Sequence, residues 1–475
     1  MPISKDKPDI ILVRPKDSTM PLLKKTGALQ HPMNLVYLAS WLKFRGYNSE
    51  IIDLEIVSAS YLEERLKSVK PYLVGITVMT PNITEAQRIC RLCRAQGINT
   101  VLGGTHPSAL PIETLRYTGC DYVIIGEGEK PLCALLRKIK DNQPLDNVAG
   151  LAFMKDNVPT INRLQELINL DDLPLPERRF LNLGLYKGES TPGILGKAAV
   201  IFTSRGCPYA CTFCASGVVN QGKVRFRNME KIFEEIDDII KLGFKHLTVE
   251  DDIFTLEPDR VKKFCKYLIT RYPRVSWDCD ARADTLNEEL LQLMKASNCR
   301  KIALGVESGS ANILKSLKKN IKLEQVRETF RIIKKHKILS QAFFMVGYQG
   351  EKKEDIEATE SLINQIQPDL LFLSVCVPYP GTPIYDYMLN KNFLSGCDWD
   401  SFAFFREEVP WHTEYFTGKE LVAMRKRISR RFYFRLSYII RRLILIRDFR
   451  EIVYLIKGLA VAFGAFCCSI KNKNY

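Results

Sequence analysis

An α/β chain built from two parallel-sheet units and a helical, basic tail is the fold class that three observations predict. Short β-branched runs alternate with helical patterns from Asp9 to Ile139. A second alternating series runs from Ala198 to Val377. Between them a Pro- and acid-bearing stretch, LDDLPLPERRF, reads as a linker. The chain has 475 residues, beyond the ~250–300 at which a single core stops growing. Its hydrophobic fraction of 46% and charged fraction of 26% are those of a globular protein and exclude a fibre or a disordered chain.

The first series places strands at Ile10–Arg14, Asn48–Leu54, Leu73–Val78, Thr100–Gly103 and Tyr122–Gly126. Helix-like stretches lie between them, such as Leu35–Phe44 and Thr84–Gln96, stopped by Gly46 and Gly97. Five strands in this order predict a doubly wound, Rossmann-like sheet that binds its ligand at the carboxyl ends of the strands. The second series places strands at Ala198–Thr203, His246–Glu250, Val275–Asp280, Lys301–Val306, Gln341–Gly347 and Leu371–Val377, with helices such as Lys231–Leu242 between them. Six β-α units predict a partial (β/α)6 barrel with its chemistry at the strand ends. The expected division is 1–145 for the first unit, 146–192 for the linker, with a hairpin in GLAFMKDNVPTIN, 193–400 for the barrel and 401–475 for the tail.

Lys and Arg exceed Asp and Glu by 15, which favours an anionic partner. Much of the excess is local: Arg425 to Arg450 holds ten Lys or Arg and one acid, Asp448, so a nucleic-acid face is not required. The tail mixes these arginines with Phe, Tyr, Leu and Ile. Over 424–470 it is expected either to lie at a membrane interface or to pack on the barrel, since arginine covers apolar protein surface equally well. The apolar run Gly458 to Ile470 is shorter than the ~20 residues that span a bilayer. Fourteen cysteines behind a polar N-terminus, MPISKDKPDI, point to the reducing cytosol rather than to a secreted disulfide scaffold. A cytoplasmic location, with peripheral attachment at the inner membrane surface if the tail docks there, is the expectation.

The strongest local signal is TSRGCPYACTFCAS, which sets Cys207, Cys211 and Cys214 in a C-x3-C-x2-C spacing just after the first barrel strand. Iron–sulfur clusters take thiolate ligands and normally four of them, so three leave one iron open. Ordinary buried cysteines are the bland alternative, and three within eight residues beside Gly206 and Pro208 argue against it. A structural zinc would want a second close Cys or His pair. Cys265, Cys279 and Cys299 are instead scattered singly.

On this spacing, with Phe213 just before the last cysteine, the sequence resembles the radical S-adenosylmethionine (SAM) superfamily. The resemblance implies that Cys207, Cys211 and Cys214 hold a 4Fe-4S cluster whose open iron binds SAM, and that reductive cleavage of SAM gives a 5'-deoxyadenosyl radical. Further segments are similar to the family's barrel. VEDDIFT carries Asp252 at the second strand end, Arg282 follows the third strand, and GVESGS offers Glu307 and Ser308 to SAM. PYPGTPIYD resembles the sixth strand exit. A lone acid at a strand end can equally be a helix cap or half of an ion pair. FMVGYQGE departs from the family pattern, with Tyr348 and Gln349 where Leu-Pro is frequent.

In the first unit VMTPN, LGGTHPS and IIGEGE mark three strand exits. Taken alone they are ordinary glycine turns. Their order resembles the cobalamin-binding domain that precedes many radical SAM barrels, which implies ligand contacts from Thr80, Gly103, Gly104, Gly126 and Glu127. The D-x-H-x-x-G signature of an axial histidine is absent, because Leu29, Gly104, Phe244, Lys334 and Pro410 stand two before the five histidines. Cobalamin without a histidine ligand is therefore expected, and His106 is read as a loop or cofactor-edge residue.

The combined resemblance is to cobalamin-dependent radical SAM enzymes, many of them methyltransferases. It implies a 4Fe-4S cluster, SAM and cobalamin as cofactors, a small-molecule or lipid-like substrate with methyl transfer to an unactivated carbon, and an external one-electron reductant such as a flavodoxin or ferredoxin. A non-methylating cyclase or rearrangement enzyme is the rival within enzymes, and a cofactor-binding regulator without turnover is the rival outside them.

Overall fold

The computed structural model describes residues 7–17, 29–164, 166–186, 197–394 and 396–445. The first unit contains β1 (Ile10–Arg14), β2 (Ser49–Asp53), β3 (Leu73–Thr77), β4 (Asn99–Gly103), β5 (Tyr122–Ile124), β6 (Leu151–Lys155) and β7 (Val158–Ile161). They form one sheet in the order β2-β1-β3-β4-β5-β6-β7. The first five strands are parallel, while β6 and β7 run antiparallel. The hairpin expected inside the linker is therefore the edge of this sheet, because its strands pair onto β5 rather than standing alone.

A continuous apolar run such as IILVR in β1 is what a strand covered on both faces requires. Ile10 and Leu12 join the core on one side, and Ile11 and Val13 the core on the other. The strand order reverses between β1 and β3, so the ligand crevice of a doubly wound sheet opens at the exits of β3 and β4.

The second unit holds β8 (Ala198–Ile201), β9 (Ser204–Arg205), β10 (Arg225–Phe226), β11 (His246–Val249), β12 (Ser276–Ala281), β13 (Cys299–Glu307), β14 (Leu339–Val346) and β15 (Leu370–Val375). Six of them, in the order β15-β14-β13-β12-β11-β8, make an all-parallel sheet. The short strands β9 and β10 pair as an antiparallel ribbon. Period-two alternation sends Ile201, Val249, Cys279, Leu304, Phe344 and Leu373 outward into an apolar core with helices such as Met229–Lys241 and Leu323–Lys335. The opposite set of side chains, Glu250 and Asp280 among them, faces inward.

The two units meet on buried charge. Glu235, 1% exposed at its side chain, receives Arg178 at 2.5 Å and Arg227 at 2.5 Å. Arg227 also donates to the Tyr37 hydroxyl at 3.0 Å, and Arg178 to the Val200 carbonyl at 2.7 Å. A second bridge joins Glu127 and Glu129 of the first unit to Arg205 and Arg225 of the β9-β10 ribbon, at 2.7–2.9 Å.

The basic tail packs on the barrel as far as it is described. Helix Gly418–Tyr433 is closed at its start by a capping box between Thr417 and Glu420. It buries Leu421, Val422, Ile428 and Phe432. Arg425 donates to the Phe404 and Arg406 carbonyls, Arg431 pairs with Glu360, and Arg441 donates to the Gln367 and Pro368 carbonyls. Of the segment 424–470 that the sequence offered to a membrane, residues 446–470 lie outside the described residues. No helix of the described residues is long and apolar enough to cross a membrane.

Replacing Glu235 by Gln leaves two buried guanidinium groups facing a neutral amide, and breaking a buried pair in this way costs about 3–5 kcal/mol. Chemical denaturation of the variant should therefore give a large fall in stability. A loss within ±0.5 kcal/mol, the usual range for surface positions, would show that the junction does not depend on this carboxylate.

Candidate active site

The cysteine loop starts where β8 ends, and its polar groups are fixed before any ligand arrives. Asp251, at the exit of β11, accepts from the Thr203 N–H at 2.6 Å, the Ser204 hydroxyl at 2.7 Å and the Thr203 hydroxyl. Gly206 turns the chain at φ +91, where a Cβ would lie 2.0 Å from the Lys223 carbonyl oxygen. Within the loop the Thr212 hydroxyl meets the Tyr348 hydroxyl at 2.7 Å, and its N–H donates to the Leu317 carbonyl at 3.0 Å. Tyr348 also donates to the Ser316 carbonyl at 3.2 Å and is 1% exposed. The position that departs from the family's Leu-Pro thus anchors the cluster loop through a phenol. Glu351 shapes the turn behind it by accepting from the Gly347 and Tyr348 N–H groups.

Cys207, Cys211 and Cys214 lie near one another: Cys211 raises the pKa of both others, and Cys207 raises that of Cys214. Burial is the largest influence on all three and pushes Cys214 up to about 11, while Arg282 and Lys319 pull Cys211 down. Thiolates are the ligating form, so the two cations favour the state that holds iron. None of the three is tied up in a disulfide. Three neighbouring thiols, free of disulfides and beside cations, are the donor set of a cluster with one open iron.

Around this opening Lys319 donates to Glu307 at 2.9 Å. Arg282 holds Asp284 at 2.8 Å, donates to the Lys319 carbonyl at 2.9 Å and covers the Tyr209 ring at 3.7 Å. Glu307 itself has φ +71, an unusual conformation for a non-glycine residue, at a bulge in β13. Gly305 makes room for it, since a Cβ there would sit 2.4 Å from the Glu307 carboxylate and 2.6 Å from Lys319 Nζ. Asp252 accepts from the Ser216 hydroxyl at 3.0 Å and lies beside Cys207 and Cys214. Phe213 packs half-buried against the barrel core with Lys319 over its ring.

Ser308 is placed differently. It is 1% exposed and its hydroxyl is engaged with Thr359 and with the Ser310 N–H, so it shapes the turn after β13 rather than facing the opening. Lys319, Tyr348 and Glu351 were not read from the sequence as site residues. No spacing marks them, and their roles come from loops far apart in the chain.

The strand exits of the first unit abut this loop. Helix Thr105–Ala109 packs on helix Ser216–Asn220, which directly follows Cys214. At Gly381, beyond β15, a Cβ would touch Val218 at 2.8 Å and Ala109 at 3.1 Å. Gly104, at φ +116, leaves no space for a Cβ because the Val78 carbonyl oxygen is 2.4 Å away, whereas Gly103 opens onto free space. Ser108 ties the exits together by donating to the Gly104 carbonyl at 2.7 Å and accepting from the Gly126 N–H at 2.9 Å. Thr80 is buried, with its hydroxyl 3.2 Å from His106 Nδ1, and the His106 ring meets Trp399 edge-on at 4.8 Å. Burial lowers the His106 pKa to about 4, which keeps the ring neutral. Glu127, expected at a ligand, spends its carboxylate on Arg205 and Arg225 and so joins the two units. An open glycine ledge at the switch-point exits, with its polar side chains already satisfied, suits a large planar ligand held by backbone and shape.

The triad on a six-stranded parallel sheet defines a radical SAM enzyme, and residues 201–363 match the radical SAM superfamily. More particularly, residues 20–136 match the B12 binding domain, so the chain belongs to the radical SAM family that carries a cobalamin-binding domain, with a 4Fe-4S cluster, SAM and cobalamin as its cofactors. An uncharacterized methyltransferase of Pyrococcus horikoshii is 27% identical over 93% of this chain and 95% of its own length. The anaerobic magnesium-protoporphyrin IX monomethyl ester cyclase of Rubrivivax gelatinosus is 25% identical over 76% of this chain, which spans 66% of that relative. Among solved structures, the cobalamin-dependent SAM radical enzyme OxsB with aqua-cobalamin and SAM bound superposes with a TM-score of 0.76 at 19% identity, over 97% of this chain and 72% of that one, and so shares the fold.

Two variants test the loop. Cys207→Ala should abolish the absorption of the reconstituted 4Fe-4S cluster, and an undiminished cluster would remove Cys207 from the ligand set. Tyr348→Phe strips one hydroxyl from two buried partners, a loss of about 1–3 kcal/mol. It should speed cluster bleaching on exposure to chelator, and an unchanged bleaching rate would exclude the anchoring role.

Proposed function

We propose that the chain is a methyltransferase acting on an unactivated carbon of a small or lipid-like substrate. The observation that carries this reading is the contact of helix Thr105–Ala109, on the cobalamin side, with helix Ser216–Asn220, on the cluster side. One cleft can then serve both cofactors. The cluster, when bound, supplies the electron that opens the SAM sulfonium, and cobalamin supplies a methyl carrier.

The residues of the chain do the holding. Cys207, Cys211 and Cys214 are the thiolate ligands. Arg282 and Lys319 compensate their charge and bring Glu307 to the edge of the opening, where its carboxylate suits the amino or ribose groups of SAM. Gly103 and Gly104 form the ledge for the corrin, and Thr80 and Gly126 border it. The half-exposed Met79 lies at the same exit. The Tyr37, Arg227 and Glu235 junction keeps water out from behind.

An external one-electron reductant, a flavodoxin or ferredoxin, belongs to this reading, because reductive opening of SAM consumes an electron that has to be resupplied to the cluster. Peripheral membrane contact is supported by helix Leu436–Leu445, whose Leu436 and Ile440 are 72% and 47% exposed while Tyr438 and Arg441 face the barrel.

Product analysis tests methyl transfer against the cyclase alternative that the Rubrivivax relative favours. Reduced, fully loaded enzyme with methyl-deuterated SAM should form S-adenosylhomocysteine and 5'-deoxyadenosine in step with a deuteromethylated product. Substrate turnover with 5'-deoxyadenosine alone would replace methyl transfer by a non-methylating radical reaction. Flotation with phosphatidylglycerol vesicles should carry the full chain upward at low salt, and its staying in the dense fraction would exclude the membrane contact.

A further inference from the structure

The inward face of the barrel sheet is divided chemically. On β11 and β12 it carries Thr248, Glu250, Asp278 and Asp280, on β13 Lys301, and on β14 and β15 Gln341, Phe343 and Phe372. These positions follow from the pairing of Thr248 with Asp278, Asp278 with Lys301, and Phe343 with Phe372. The outward residues beside them are almost completely buried and apolar. Among the inward residues of β12 Asp278 is buried, and Asp280 is the single exposed residue of its strand, between Cys279 at 1% and Ala281 at 5%.

Charges in this hollow are unequally compensated. Asp278 is satisfied by His246 at 2.9 Å, with Lys301 at 3.7 Å. Glu250 receives the Gln30 side-chain amide from the first unit. Asp280 has no hydrogen-bond donor and no ion pair among the described residues. Burial is the largest influence on Glu250 and Asp280, like charge adds to it and Lys301 opposes it on both, leaving Glu250 at about 7 and Asp280 at about 6. Asp280 is thus the open carboxylate of this inward face. The opposite wall is aromatic. Phe343 and Phe372 meet edge-on at 5.1 Å, and Phe372 meets Phe404 at 5.9 Å and Phe405 at 4.8 Å.

We propose that this hollow is the substrate pocket and that it takes an amphipathic molecule, with a protonated nitrogen held by Asp280 and Glu250 and a flat or apolar body laid on Phe343, Phe372 and Phe404. The assignment rests on the radical SAM reading for the placement of chemistry at the strand ends and adds the class of substrate to it. Asp280 is level with Ala303 and Gln341, so Phe343 stands two strands across and two residues along from it, a diagonal of roughly 12 Å at the usual strand spacing and rise, which a carboxylate-bound arylalkylamine can bridge. A cation relieves the repulsion between the two carboxylates, whereas an anion of the same shape adds to it. The ring faces also favour positive charge over negative. At the upper end Gly305 and the Glu307–Lys319 pair border the same hollow beside the cluster opening, so a bound body lies within reach of the site where SAM is opened.

The test uses the full chain loaded with cluster and cobalamin, titrated calorimetrically with 4-phenylbutylamine, with its anionic counterpart 4-phenylbutyrate and with n-butylamine, which lacks the ring. Tightest binding of 4-phenylbutylamine is expected, by tenfold or more over the other two. Asp280→Asn should lose at least that factor and Phe343→Ala part of it, with cluster absorption and circular dichroism confirming that both variants fold. No binding of 4-phenylbutylamine, equal binding of 4-phenylbutyrate, or unchanged amine affinity in Asp280→Asn would overturn the assignment. Formation of 5'-deoxyadenosine by the same samples reads the radical SAM function separately. Cleavage of SAM without an amine preference sinks the pocket alone, and an amine preference without cleavage sinks the radical reading alone.

Discussion

Two sheets that bind different cofactors can cooperate only if their strand exits are held face to face, and here that constraint is met by buried charge. Glu235 lies in the outer helix layer of the barrel, between an arginine of the connecting segment and one that follows β10. Removing three charged groups from water is costly, and the attraction between them repays the cost only when the geometry is good and the remaining donors are satisfied. The Tyr37 hydroxyl and the Val200 and Phe202 carbonyls supply those partners. Such a network discriminates against displaced arrangements, because any slip leaves an unpaired ion behind. Glu127 and Glu129 repeat the device on the ribbon that leads out of the cysteine loop. The cobalamin ledge is thereby registered against the cluster loop by groups that touch neither cofactor.

The cysteine loop shows the same logic at smaller scale. An open iron site needs thiolates that face outward, so nothing in the loop can be stabilised by burying the cysteines deeply. Stability comes instead from neighbouring backbone and hydroxyl groups. Asp251 binds both residues ahead of the loop, and Tyr348 reaches across to Thr212 within it. Burial raises the Asp251 pKa while the hydroxyl and amide donors pull it back. That balance marks a carboxylate used as an acceptor for structure, in contrast to Asp252 next to it, which is exposed and beside two thiols.

How much of this was legible in the chain depends on the range of the interaction. Both sheets were, because a strand buried on two faces must read as an unbroken apolar run, as in IILVR, and a sheet of helically covered parallel strands must alternate its patterns. The triad was legible because iron fixes the spacing of its ligands. The hairpin at 151–161 is legible as a hairpin and falls in the expected linker, whereas its place is decided by pairing with β5, a contact that local pattern does not encode. Glu127 was read with its glycines as a ligand contact, and two arginines 78 and 98 residues away claim it in the structure. The arginines of the tail pointed equally to lipid and protein, and Arg425 and Arg431 face carbonyls and a carboxylate of the barrel side.

The inward face of the barrel follows from what the outward face cannot supply. Parallel strands in a barrel bury both sides, so each strand would ordinarily carry apolar residues at every position. Here the outward positions follow that rule with few exceptions such as Ser340, while β11 and β12 place acids inward at successive levels. Those acids weaken the barrel, since an uncompensated carboxylate in a low-dielectric hollow costs more than an apolar residue of the same size. Asp278 is hydrogen-bonded by His246 with Lys301 near it, and Glu250 is partly answered by Gln30 from the neighbouring unit. Asp280, one level below the Phe343 and Phe372 pair, has neither hydrogen bond nor ion pair among the described residues and feels Lys301 only through space. A fold that satisfies its other acids with this care, down to borrowing an amide from a second unit, keeps one carboxylate open because a ligand completes it.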